Sequence, residues 1–219
     1  MNREDIAETF LIGDGIEIGA LHNPLRLPSK ARIKYVDRMP VSDLRRHYPE
    51  LEKKSLVAVD IIDDGERLKT LADGSQDFVV ANHFLEHCQD PIGALLNLLR
   101  VLRPGGVAYI ALPDKRFSFD VDRPVTPLSH LMRDHREGPE WSYREHLEEW
   151  ARLVDKVPDV SEYVDRLAQA QYSIHFHVWT PLAMLDWISH VQTLSPFEIA
   201  QQLHNDTEAI FILRKSATI

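Results

Sequence analysis

The stretch "QDFVVAN", "DPIGALLNLLRVLRPGG", "VAYIALP", running from residue 76 to 113, most constrains the fold. Its two short apolar runs flank one amphipathic helix. Asp90 is placed to cap that helix and Pro91 fits its first position. Ile92, Leu95, Leu96, Leu99 and Leu102 recur at helical spacing, and "RPGG" ends the pattern. The second apolar run carries almost no polar residue, as a central strand buried on both faces requires. A strand, a helix and a second strand in that order make a parallel, right-handed unit.

The segments on either side extend the pattern. "IEIGA" at 16–20 reads as a first strand, with Gly13 and Gly15 ahead of it. "RIKYVD" at 32–37 reads as a second strand and "SLVAVDII" at 55–62 as a third. Residues 42–53 form a short helix or turn broken by Pro49, and 63–75 a polar, partly helical connection. This alternation predicts an α/β fold, a Rossmann-like, doubly wound, mostly parallel sheet. After Pro113 the alternation stops. Residues 114–180 are charged, aromatic and histidine-rich, with helices expected over 143–157 and 160–171. They read as a helical insertion, or lid, within one domain spanning 1–219. An amphipathic helix follows at 180–191. Two strands, "PFEIAQQLH" and "EAIFILRK", close the chain around an "NDT" turn, so the last strand is antiparallel.

Composition narrows the partners. The chain has 25 basic and 34 acidic residues, a formal charge of -9, which disfavours a nucleic-acid footprint. One cysteine, Cys88, permits no internal disulfide and suits a reducing cytoplasm. The N-terminus "MNREDIAETF" lacks the apolar core of a signal peptide, and no apolar run is long enough for membrane insertion. No repeat or low-complexity tract is present.

A glycine turn after the first strand and an acid ending the second is how such a sheet holds an adenosine-type cofactor. Glycine lets the backbone approach the ligand, and the acid accepts hydrogen bonds from ribose hydroxyls. Asp37 lies 18 residues after Gly19 (37 minus 19), near the expected ~20. The full dinucleotide fingerprint is absent, since "ALHNPL" follows Gly19. That weighs against a nicotinamide-dependent oxidoreductase.

"GIEIGA", "YVD" and "DGSQDFVVANHFLEHCQDPIGALLNLLRVLRPGGVAYIALPD" resemble a class I S-adenosylmethionine-dependent methyltransferase over roughly residues 12–114. Within that family the chain is most similar to small bacterial enzymes associated with glycan synthesis. The resemblance implies S-adenosylmethionine as cofactor and a small-molecule or saccharide acceptor, with O-methylation the expected reaction. It places Glu17, Gly19 and Ala20 at the methionine end and Asp37 on the ribose. Asp63 or Asp64, with Asp63 favoured, lies near the adenine. Asn82 and His83 sit beneath the sulfonium. The loop "LHNP" departs from the family pattern and offers His22 or Asn23 as further contacts.

"HFLEH" raises a second chemistry. His83, Glu86 and His87 have the spacing of an inverted zinc-peptidase motif. That motif needs a helix, whereas a strand precedes His83 and a new helix starts at Asp90, so a metal-dependent hydrolase is the lesser alternative. The same three residues could hold a divalent metal that polarises an acceptor hydroxyl. Base candidates, in order, are His83, His87, Glu86 and Asp114. Lys115, Arg116 and Arg123 form either an anion clamp or a salt-bridged lid with Asp114, Asp120 and Asp122. His130, His135, His175, His177 and Trp179 suggest a lined acceptor pocket, with His175, His177 and Trp179 the substrate-binding candidates. The stripe Leu147, Trp150, Leu153, Val154, Val157 is read as internal packing, with a homodimer face as the alternative. A non-catalytic cofactor-binding protein of the same fold also stays open.

Overall fold

The computed structural model describes residues 2–205 and 207–217. Its centre is a seven-stranded sheet in the order β3-β2-β1-β4-β5-β7-β6. Strands β1 (Gly13–Ile18), β2 (Ala31–Asp37), β3 (Ile61–Ile62), β4 (Gln76–Asn82) and β5 (Leu102–Pro113) are parallel. Strand β7 (Glu208–Lys215) inserts antiparallel between β5 and β6 (Phe197–His204). The dinucleotide-binding order 3-2-1-4-5-6 has no such inserted strand. Asp206, in the expected "NDT" turn, lies outside the described residues.

Period-2 alternation assigns the central strands to two cores. Val79 and Ala81 of β4, with Ala108, Ile110 and Leu112 of β5, face one cluster. Phe78 and Val80, with Val107, Tyr109 and Ala111, face the other. Helices α3 (Pro91–Val101) and α7 (Pro181–Gln192) close the first face. The second is covered by an N-terminal helix, α1 (Arg3–Phe10), through Ile6 and Ala7, and by Leu11 and Leu25. The charged first residues hid α1, which is held by a reciprocal cap between Asn2 and Asp5.

Several expectations are corrected. Gly13 and Gly15 lie inside β1, not before it. Gly15 packs so closely on Phe78 that no Cβ would fit. The third strand is reduced to Ile61–Ile62, because the Asp60 side chain takes the Tyr35 amide at 2.8 Å where a strand would offer a carbonyl. Residues 63–75 contain no helix. Their carbonyls are satisfied instead by Arg100, which donates to Arg67, Leu68 and Leu71, and by Asn97, which donates to Glu66. "RPGG" does end α3 but is drawn into the start of β5.

Beyond β5 come α4 (Leu128–Glu137), α5 (Glu140–Leu153) and α6 (Val160–Ala170). Helix α4 escaped the sequence pattern because only Leu131 and Asp134 are buried on it. Helices α5 and α6 share a small core of Leu147, Ala151, Val164, Leu167, Ile174 and Phe176. Leu147, Trp150 and Val157 of the α5 stripe pack into or against this core. Helix α2 (Val41–His47) follows β2 and ends before Pro49. No helix among the described residues is long and apolar enough to cross a membrane.

Candidate active site

The carboxyl ends of the parallel strands open into a cavity of about 600 Å³, within the range of small-molecule sites. Gly19 and Asp37 line it at the ends of β1 and β2. Gly19 has φ +63°, and a side chain there would meet no protein atom within 4 Å, so the residue opens onto free space. The Arg38 amide donates to Asp37 Oδ1 at 2.7 Å, and burial pushes the Asp37 pKa up. Arg38 then reaches over the cavity, donating to the Tyr48 hydroxyl at 2.6 Å. Tyr48 and Tyr172 stand edge to face with centroids 5.7 Å apart, walling this end with aromatic surface.

The acid after β3 that faces the cavity is Asp64, not the favoured Asp63. Asp63 turns away because its carboxylate accepts from both the amide (2.7 Å) and the hydroxyl (2.6 Å) of Thr70. Glu17, Ala20 and Asn82 do not line the cavity. Glu17 is fully buried and accepts from the Leu25 amide at 3.0 and 3.1 Å, which anchors the loop after β1. Burial, partly offset by that amide and by Arg3, raises the Glu17 pKa to about 7. His22 and Asn23 bond each other at 3.2 Å, and Leu21 is the loop residue that reaches the cavity.

His83 lines the cavity floor in a left-handed conformation, φ +52°, unusual for a side chain with a Cβ. Its Nε2 lies 2.9 Å from Glu208, and its Nδ1 3.6 Å from Glu86. Arg3 from α1 pairs with the same Glu208. Burial opposes the charge on His83, but Glu208 and Glu86 outweigh it and raise the pKa. For Glu208, burial is likewise outweighed by Arg3 and His83, and its pKa falls to about 2. A histidine whose charged form is favoured by two carboxylates is a poor first choice of base.

The far wall is built where the segment after α6 runs beside a 3₁₀ turn at Leu85–His87, the Phe176 amide donating to the Glu86 carbonyl at 2.8 Å. His87 Nδ1 donates to the Ile174 carbonyl at 2.9 Å, and burial lowers its pKa to about 3. His175 Nδ1 donates to Asp120 Oδ2 at 2.7 Å. Glu86 is fully buried and neither carboxylate oxygen has a hydrogen-bond partner. Glu86, His87 and His175 each bring one potential ligand atom within 4.8 Å of the others. His83 does not join that group, so the H-x-x-E-H residues share no common face. Phe119 and Trp150 complete the wall, their rings 5.5 Å apart and each beside His175.

The anion clamp does not assemble. Lys115 is spent on the Val121 carbonyl at 2.8 Å. Arg116 pairs with Asp114. Asp114 also bonds His204 and caps a short 3₁₀ turn, so it lies off the cavity as well. Arg123 is completely buried, donating to Asp120 (2.8 Å), Glu149 (2.7 Å) and the carbonyls of His175 (2.8 Å) and Phe176 (3.2 Å). His177 and Trp179 are buried and stacked at 5.9 Å, away from the cavity. His135 bonds Asp90 at 2.9 Å and ties α4 to the start of α3. Of the polar and aromatic lining, Arg38, Tyr48, Phe119, Trp150 and Tyr172 were not anticipated as site residues; only Arg38, next to Asp37, carried a local signal.

Sheet order and strand-end cavity are those of the class I methyltransferase fold. Residues 15–110 match the family model described as a methyltransferase domain. The matched segment is thus a methyltransferase domain, and the sheet around it has the class I methyltransferase fold. Among solved structures it is similar to a Rhodobacter sphaeroides protein provisionally described as a Zn-dependent alcohol dehydrogenase (TM-score 0.58, 13% identity, 96% of this chain and 86% of that one). It is also similar to the CurJ carbon methyltransferase (0.51, 11%, 94% and 49%). A third is a SAM-dependent methyltransferase from Aquifex aeolicus (0.50, 11%, 95% and 84%). At these identities the likeness concerns the fold. No curated protein sequence matches the chain.

Proposed function

We propose that the enzyme methylates a hydroxyl of a small-molecule or saccharide acceptor, with His175 as the base. The observation that carries this reading is the His175–Asp120 pair at 2.7 Å, set in the cavity wall between Phe119 and Trp150. Asp120 fixes the ring with its proton on Nδ1, which leaves Nε2 free to accept one. Arg123 holds Asp120 and the backbone of His175 and Phe176, so the base sits on a rigid support.

S-adenosylmethionine supplies an electrophilic methyl on a positively charged sulfur. Gly19, Asp37 and Asp64 hold it at the strand ends, with Tyr48 and Tyr172 closing over the adenosine end. Residues 114–180 hold the acceptor, whose apolar faces pack on Phe119 and Trp150. With the cofactor bound, His175 Nε2 would take the hydroxyl proton as the oxygen attacked the methyl carbon, with breakage of the carbon–sulfur bond to give a neutral thioether. Positioning supplies most of the acceleration, and the base adds about 10²–10⁴-fold. Net charge of -9 argues against a nucleic-acid acceptor, and the lone buried Cys88 suits a cytoplasmic setting.

A second reading is favoured by the two unpartnered oxygens of Glu86. A divalent ion on Glu86, His87 and His175 would polarise the acceptor hydroxyl in place of a free base. Transfer of labelled methyl to hydroxylated and amino acceptors, by wild type and Glu86→Gln, separates the two. The base reading predicts transfer to hydroxyls that Glu86→Gln largely retains. Loss of transfer in Glu86→Gln, with stimulation of the wild type by added divalent ions, would favour the metal. Cofactor binding with no transfer to any acceptor would point to a non-catalytic role.

A further inference from the structure

The insertion encloses a second group of chemistry-bearing side chains that takes no part in the site above. His130 and Asp134 lie one turn apart on α4, His146 lies on α5, and His177 lies on the extended segment leading back to the sheet. One atom from each falls within 4.8 Å of all the others. His130 Nε2 is 3.0 Å from His146 Nε2 and 3.3 Å from Asp134 Oδ2. His177 Nε2 is 3.1 Å from the same oxygen. A tetrahedral zinc ion with bonds of ~2.0–2.1 Å holds its ligand atoms about 3.3 Å apart.

Proton bookkeeping also favours a cation. His177 Nδ1 faces the Cys88 carbonyl at 3.1 Å, so a neutral ring keeps its proton there. Its Nε2 lone pair then points at a carboxylate oxygen. The other Asp134 oxygen already accepts from the Ser142 hydroxyl at 2.9 Å. His130 and His146 likewise meet through ring nitrogens that can share only one proton. A cation at the centre satisfies all four atoms together. The Cys88 carbonyl and the Ser142 hydroxyl become the outer partners that orient a ligating histidine and a ligating carboxylate.

We propose that this enzyme carries a structural zinc ion on His130, Asp134, His146 and His177. Three imidazoles and one carboxylate suit zinc over magnesium or calcium. Asp134, His146 and His177 are buried, and four protein ligands leave no open position, so the ion binds no substrate. It staples α4 and α5 to the segment that carries His175. Through the Cys88 carbonyl it also fixes the loop holding Glu86 and His87. The acceptor wall is thereby tied to the cofactor sheet.

The test is metal analysis of tag-free protein, with Co²⁺ titration of chelator-treated wild type. The proposal expects about one zinc per chain in wild type and in Glu86→Gln, and almost none in His146→Gln or Asp134→Asn. It expects one equivalent of Co²⁺ to give the strong visible bands of a tetrahedral site, and chelation to lower the wild-type melting temperature. Metal-free wild type that takes up no Co²⁺ with those bands would overturn it, whether or not the variants fold. So would zinc that His146→Gln retains and Glu86→Gln loses.

Discussion

Replacing His175 by alanine is expected to lower methyl transfer by about 10²–10⁴-fold while leaving cofactor affinity nearly unchanged. The ring is held at both ends of its environment. Asp120 accepts from Nδ1 at 2.7 Å, and Phe119 and Trp150 flank the imidazole, so its loss removes the proposed base. Asp120→Asn should act in the same direction, because an amide can present its donor face to Nδ1 and turn the proton toward the acceptor. Single-turnover rates, measured beside binding of S-adenosylhomocysteine, check the prediction. A rate within a few-fold of wild type would show that another group takes the proton.

Arg123→Met is expected to cost about 3–5 kcal/mol of stability, lowering the melting temperature by roughly 10 °C. The guanidinium is fully buried and its partners are the Asp120 and Glu149 carboxylates and two backbone carbonyls. Removing it leaves both carbonyls without their Arg123 donor, and the nearly fully buried Asp120 with His175 and Ser118 but no cation on Oδ1. Turnover should fall with stability, since the same carbonyl belongs to His175. Arg116→Met is the control. That side chain is half exposed and pairs with one carboxylate, so its loss should leave the melting temperature almost unchanged. Thermal unfolding of both variants tests the contrast; equal effects would contradict the structural role given to Arg123.

The sequence exposed the sheet well where burial wrote a pattern. Strands β4 and β5 and helix α3 were legible because each buries a continuous or periodic apolar set. The third strand was overread because "SLVAVDII" has strand composition, whereas the Asp60 side chain accepts from the Tyr35 amide and ends its ladder at the sheet edge. Cavity-lining residues on strand ends, Gly19, Asp37 and His83, follow from topology and were accessible. Those in the insertion were accessible only as residue types. Nothing local distinguishes Arg123, which holds Asp120 and the His175 backbone, from Arg116, which pairs only with Asp114. The pairing of His175 with Asp120 spans 55 positions, and His177 with Asp134 spans 43. Of the four proposed zinc ligands, only His130 and Asp134 stand at a spacing a helix brings together. Tertiary closure makes the rest.

The central claim, that the strand-end cavity holds the cofactor on Asp37, is tested most directly by calorimetric titration with S-adenosylhomocysteine. Wild type should bind one equivalent, and Asp37→Ala should weaken that binding by about 10–100-fold, the cost of losing a charged hydrogen-bond acceptor. Absence of wild-type binding, or equal affinity in the variant, would contradict the account.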